Sequence, residues 1–129
     1  MERTYIDAAD QFSIFYRELN LQLRANGVQI VESPTEATAI LSIHFDKTGQ
    51  RVLSVSARNT PTEYEVFYSI DYSLDSGENN LLPRQFITLT QDYTYDETLV
   101  LGKAHEEQVM REAIVDDLVR TVLRNLGSL

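Results

Sequence analysis

Cysteine and tryptophan are missing from this 129-residue chain, and basic residues are scarce, 11 against 20 acidic ones. Without a thiol there is no disulfide framework, no thiolate nucleophile and no cysteine-held metal, so the fold must rest on its core. A formal net charge of −9 leaves no generic basic face, which argues against nucleic acid and anionic membrane surfaces as partners. Any anion must therefore be held at a local site. No run of about 18 apolar residues reads as a membrane-spanning helix. The opening "MERTYID" lacks the apolar core of a signal peptide. Met1 lies directly against a strand pattern, so a trimmed natural N-terminus is expected, and with it a lost targeting segment.

Sites for catalysis are equally sparse. Five glycines are scattered with no phosphate-cradling spacing, and no serine sits in a nucleophile elbow. Two histidines, His44 and His105, are the candidates for a proton switch. His105 opens "HEEQV", which lacks the second histidine that a zinc-protease helix needs four residues on; it reads as a solvated residue of a first helical turn. His44 reads as a residue on the polar side of a strand. Asp116 and Asp117 read as the wet side of a helix. Asp92, Asp96 and Glu97 stand close enough in sequence to bind a divalent cation, with local salt bridging as the plainer alternative. No catalytic residue, cofactor or metal site is expected, and the protein is not expected to be an enzyme.

What is present is patterned. An apolar fraction of 43% with 24% charged residues suits one globular domain over residues 1–129. "RTYID" is a short strand candidate. Phe12, Phe15, Tyr16, Leu19 and Leu23 recur at helical spacing up to Gly27, a C-terminal cap. "VQIV" is a brief extended run, and "SPTEA" carries the Ser33 and Pro34 signature of one helical turn. From Thr38, Ala39, Leu41, Ile43 and Phe45 alternate with polar residues, and Leu53, Val55 and Ala57 keep the same parity beyond "KTGQR", for which one long strand over 38–58 is the simplest reading and a separate hairpin the alternative. Tyr64, Val66, Tyr68, Ile70, Tyr72 and Leu74 share a face of the next strand. "DSGENN" reads as a loop, and Ile87, Leu89, Tyr93 and Tyr95 mark a further strand. "DETLVLGK" connects it to a long amphipathic helix bearing Met110, Ala113, Ile114, Leu118, Val122 and Leu126, ending at Gly127. The expected fold is α+β, a two-layer sandwich with two helices on one face of a mixed four-stranded sheet in the order β-α-β-β-β-α, its first strand, helix and second strand forming a right-handed crossover. Seven tyrosines concentrate on the strands, suited either to cross-strand packing or to a contact surface.

An antiparallel meander returns to the same end at every second turn, which places Arg58, at the turn between the two long strands, at the end where "DETLVLGK" begins. Lys103 precedes the last helix, where a cation is disfavoured by the helix dipole and where free backbone amides accumulate. Arg58, Lys103 and those amides could together form a phosphate site. The alternative is an ion pair of Arg58 with Glu63 or a loop acid, worth about 0 to 1 kcal/mol.

"FYRELNLQLRANGVQIVES", "ARNTPTEYEVFYSIDYSL" and "LVLGKAHEEQVMREAIVDDLVRTVLRNL" together resemble the LptE family of lipopolysaccharide-assembly lipoproteins of the Gram-negative outer membrane. Within them, Leu23, Arg24, Asn26, Gly27 and Val28 at the helix end, Glu63 and Tyr64 at the strand start, and "LGK" before the last helix carry the likeness. The resemblance implies a non-enzymatic protein on the periplasmic side of the outer membrane, lipid-anchored through an N-terminal cysteine that this chain does not contain. It also implies a plug and assembly partner for the LptD β-barrel that binds lipopolysaccharide, with Arg58 and Lys103 as the anion-contacting residues. The competing reading is a soluble periplasmic adaptor domain that docks on protein and never binds lipid.

Overall fold

The computed structural model describes residues 1–58, 61–94 and 103–127, with the backbone alone for Pro61, Lys103 and Ala104. Its elements are β1 (Arg3–Ala8), α1 (Ile14–Ala25), β2 (Gln29–Ile30), a 3-10 turn (Pro34–Glu36), β3 (Ala39–Val55), β4 (Pro61–Ser76), β5 (Asn79–Thr94) and α2 (Lys103–Gly127). The strands form a mixed five-stranded sheet in the order β2-β1-β3-β4-β5. β1 pairs in parallel with both β2 and β3, and the β3-β4-β5 meander is antiparallel. Both helices pack on one face, as two amphipathic helices beside one apolar sheet surface require.

The sheet has five strands where four are expected. "VQIV" is the source of the difference: Gln29 and Ile30 pair with Arg3 and Thr4, and Val31 N–H donates to the Thr4 carbonyl at 2.9 Å. A two-residue strand has no alternation to read, so its pairing is decided by the helix that delivers it. That helix is α1. Ser13 caps it by accepting the Tyr16 amide at 3.0 Å, and Gly27 at a φ of 86° lets the chain leave in the left-handed conformation that favours glycine. Phe12, expected on the buried helix face, precedes the cap and is 88% exposed. The "DSGENN" loop also contracts. β4 and β5 continue to a two-residue connection, Gly77–Glu78, with Gly77 at a φ of 62°.

β3 is one strand across the polar "KTGQR" segment, as the shared parity predicts, but its faces do not keep that parity. Ile43 pairs with Tyr72 and Phe45 with Asp71, so His44 is an extra residue on β3. Such a bulge moves every following side chain to the opposite face. Ala39, Leu41 and Ile43 are buried under the helices, whereas Phe45 turns to the open face and is 42% exposed. Asp46, Thr48 and Gln50 take the helix side instead, opposite Ile70, Tyr68 and Val66.

The core is the regular face of β4. Tyr64, Val66, Tyr68, Ile70, Tyr72 and Leu74 are all buried, packed with Phe15, Leu19 and Leu23 of α1 and with Ile114, Val115, Leu118, Val119, Val122 and Leu126 of α2. Ala113, expected on this stripe, faces solvent, and Val115 and Val119 replace it.

Candidate functional site

The two long strands β3 and β4 meet at a hairpin that includes Arg58. Arg58 is exposed, and its backbone N–H donates to Ser56 Oγ at 3.2 Å, a local bond that rounds the chain away from β3. Among the described residues no ion pair involves Arg58, Glu63 included. Lys103 is the first residue of α2, and its side chain lies outside the described residues.

The placement of α2 follows from polar contacts made by residues of the helix-covered face. Near its start Glu107 accepts a hydrogen bond from Tyr93 Oη, while Asn125, near its end, donates to Tyr72 Oη at 2.8 Å. Tyr93 lies opposite Tyr64 in the β4–β5 ladder, so the helix runs in the same direction as β4 and begins at the hairpin end. Lys103 stands one turn before Glu107 on that side. The backbone therefore brings the start of α2 to the end of the sheet that carries Arg58.

The floor of this end is aromatic and acidic. Tyr64 and Tyr93 stack with ring centroids 5.4 Å apart. Burial, reinforced by the bond to Glu107, holds the Tyr93 hydroxyl protonated well above the ordinary phenol range. The Gln50 amide comes within 2.6 Å of Glu107 when its nitrogen faces the carboxylate, and Arg111 Nε donates to Thr48 Oγ1 at 2.9 Å. Glu107 is thus committed to fixing α2 on the sheet.

A similar polar clamp holds the first helix. Tyr68 Oη and Ser13 Oγ both donate to the Asp46 carboxylate beneath the N-terminus of α1, and the Phe15 amide donates to Tyr68 Oη at 3.4 Å. Burial first, and Asp46 second, raise the Tyr68 pKa. A carboxylate at the positive end of a helix, satisfied by two hydroxyls, is a structural lock.

The open face of the sheet is different. Arg51 bridges Glu65 at 3.4 Å and lies over the Phe67 ring at 4.5 Å. Phe45 and Phe86 meet across β4, either side of Asp71, with centroids 6.0 Å apart, both exposed. His44 Nε2 lies 2.7 Å from Ser73 Oγ, and His105 is exposed on α2. Asp92 is exposed on β5, whereas Asp96, Glu97, Tyr95 and the rest of the "DETLVLG" connection lie outside the described residues. No cluster of metal-ligating side chains occurs among the described residues.

The aliphatic side chains at the end of β3 are a feature that parity reasoning hides, because it sends Leu53 and Val55 to the buried face. Val52, Leu53 and Val55 are 51%, 46% and 53% exposed. A second sign was available in the sequence: residues 47–62 hold Lys47, Arg51 and Arg58 and no acid, the longest acid-free stretch in the chain. The β3 side of the hairpin is thus basic, and Glu63 and Glu65 of β4 stand across from it.

Comparisons with known proteins converge. The model of the LptE family, described as lipopolysaccharide-assembly, matches residues 1–126. The rare lipoprotein B from Shewanella oneidensis has the same fold, with a TM-score of 0.82 at 20% identity over 98% of this chain and 94% of that one. A lipoprotein B from Nitrosomonas europaea matches with a TM-score of 0.82 at 26% identity over 97% of this chain and 81% of its own. A minor lipoprotein from Acinetobacter baumannii matches with a TM-score of 0.79 at 18% identity over 98% and 91%. A search of curated proteins gives no significant match.

Proposed function

This chain belongs to the LptE family of lipopolysaccharide-assembly proteins, and from that premise we propose that it is a non-enzymatic plug and assembly partner for the LptD β-barrel that contacts lipopolysaccharide on its way to the outer leaflet. It acts on the periplasmic side of the outer membrane, held there by a lipid anchor outside these residues. The observation that carries the reading is the family match over residues 1–126, supported by three lipoprotein neighbours with this fold.

In this reading Arg58 and Lys103 supply the lipopolysaccharide contact. A guanidinium grips phosphate through paired N–H donors, an ammonium adds a mobile point charge, and the unpaired amides at the start of α2 add partial positive charge. The chain's excess of acid keeps anions from binding elsewhere. No step of bond making or breaking is required of the protein. Its work is to hold and orient.

The test is lipopolysaccharide binding by the double variant Arg58→Asp, Lys103→Asp, with thermal unfolding as the control for folding. Each lost charge-assisted hydrogen bond is worth about 1.5–3 kcal/mol, so a loss of at least about tenfold is expected at an unchanged unfolding temperature. Wild-type binding by the folded variant overturns the site assignment. Co-purification with the LptD barrel tests the plug role separately, and its failure in the wild type overturns that role.

A further inference from the structure

We infer that the β3–β4 hairpin grips the hydrocarbon part of its ligand as well as the phosphate: Val52, Leu53 and Val55 form a ledge for an acyl chain of a phosphorylated amphiphile whose phosphate meets Arg58. The inference rests on the lipid-contacting reading above and extends it from the headgroup to the chain.

Three observations support the ledge. First, the ladder is irregular there. Val52 pairs with Tyr64, Ser54 with Glu63 and Val55 with Pro61, with register shifts at both steps. Bulges of this kind re-aim side chains and release them from a single sheet face, and all three aliphatic groups are about half exposed. Second, Leu53 and Val55 stand past the level at which α2 is fastened. Tyr93, which bonds Glu107, lies opposite Tyr64 and so level with Val52. From there α2 has one further turn, about 5 Å, while β3 continues from Val52 to Val55, roughly 10 Å at strand rise. Third, the stretch of chain that carries the ledge holds cations and no acid, with Glu63 and Glu65 standing across the ladder from Ser54 and Arg51. Lys47, Arg51 and Arg58 lie in the acid-free stretch 47–62, and Arg51 is already engaged by Glu65 and Phe67.

An exposed aliphatic cluster beside cations, on a chain of net charge −9, matches a molecule that is apolar at one end and anionic at the other. A protein partner fits less well. Protein hot spots favour Trp, Tyr and Arg, whereas Leu and Val are under-represented in them, and the stretch 51–58 has no aromatic residue. The open-face pair Phe45 and Phe86 has the protein-docking character that the hairpin lacks. Ser54 Oγ and Thr62 Oγ1, 2.9 Å apart, tie the two strands together just behind the ledge, so the aliphatic groups are presented on a paired base.

The probes are a short-chain diacylglycerol phosphate below its micelle concentration, the uncharged diacylglycerol and glycerol phosphate. The wild type is expected to bind the diacyl phosphate at least about tenfold more tightly than glycerol phosphate, and Leu53→Ser, Val55→Ser to erase that margin with glycerol phosphate binding unchanged. Because the chain has no cysteine, Leu53→Cys accepts a single polarity-sensitive dye. Its emission shifts to the blue with the diacyl phosphate and not with glycerol phosphate if the chain lies on the ledge. A margin that survives the double serine variant, or an unshifted dye, overturns the inference. Lipopolysaccharide binding that depends on Arg58 and Lys103 but not on Leu53 and Val55 overturns the ledge and leaves the functional reading intact. Binding indifferent to all four removes both. Loss of barrel co-purification in the serine variant, with the lipid margin intact, makes the hairpin a protein interface and likewise overturns the ledge.

Discussion

β3 and β4 are built twice over from the same residue types, with opposite results. Under the helices, Leu41 and Ile43 face Leu74 and Tyr72 across an antiparallel pair and are almost wholly buried; a dozen residues further along β3, Val52, Leu53 and Val55 are half in water. Aliphatic character is the same in both regions. The difference is what stands above them: α1 and α2 cover the first almost completely and leave the second about half open. Burial of apolar surface is favourable at roughly 25 cal/mol per Å² wherever a partner is available, so the aliphatic groups left half exposed at the hairpin are free to meet a partner that comes from outside.

The contrast can be broken most forcefully in the covered half. Leu118 is fully buried on α2, and Leu118→Ala should cost about 3 kcal/mol in urea unfolding, through lost transfer energy and the cavity left behind. A cost near zero would mean that α2 is not seated as described. A smaller effect tests the polar clamp. The Tyr68 pKa is raised above its ordinary value of 10.0 by burial and by Asp46, so the protonated phenol is favoured by folding. The associated stability is complete below about pH 10, where the unfolded phenol is still protonated, and is lost as the pH rises above that value toward the folded pKa. Unfolding midpoints should stay level to about pH 9 and fall above pH 10, and Tyr68→Phe should lessen the fall, to which Tyr93 also contributes, while costing about 1 kcal/mol at neutral pH. An equal alkaline slope in the variant would remove Tyr68 as its source. The smallest effect belongs to the hairpin. Leu53→Ser with Val55→Ser should change stability by less than about 0.5 kcal/mol per site, and a larger loss would show that these side chains belong to the core after all.

Much of the fold could be read from residue patterns because period and burial agree there. The face from Tyr64 to Leu74 alternates without a break, and each of its members is buried. The Gly27 cap, the Ser33 and Pro34 turn and the long helix ending at Gly127 follow from local backbone chemistry that acts in any context. β2 could not be read: two residues carry no period, and their pairing with β1 depends on where α1 returns the chain. Phe45 was misplaced for a related reason. One extra residue at His44 inverts the strand's faces, and parity counting has no means of detecting an insertion that the partner strand alone reveals.

The candidate site divides in the same way. Arg58 and the start of α2 could be assigned to one end by counting strand reversals, since each hairpin turns the chain about. The helix-covered positions of Asp46, Thr48 and Gln50, which bond Tyr68, Arg111 and Glu107, depend on the bulge at His44, which only the pairing with β4 reveals.

By itself the amino-acid sequence determined that this is an acidic α+β chain without thiol chemistry, with an apolar face on β4, an amphipathic last helix and an acid-free stretch over 47–62, because composition and short-range periodicity act residue by residue. Tertiary structure alone decided which face each half of β3 presents, that a fifth strand joins the sheet, and that the end of β3 from Leu53 onward outruns the helices. Those outcomes depend on pairing register and on the reach of one element past another, and both are distances between segments remote in the chain.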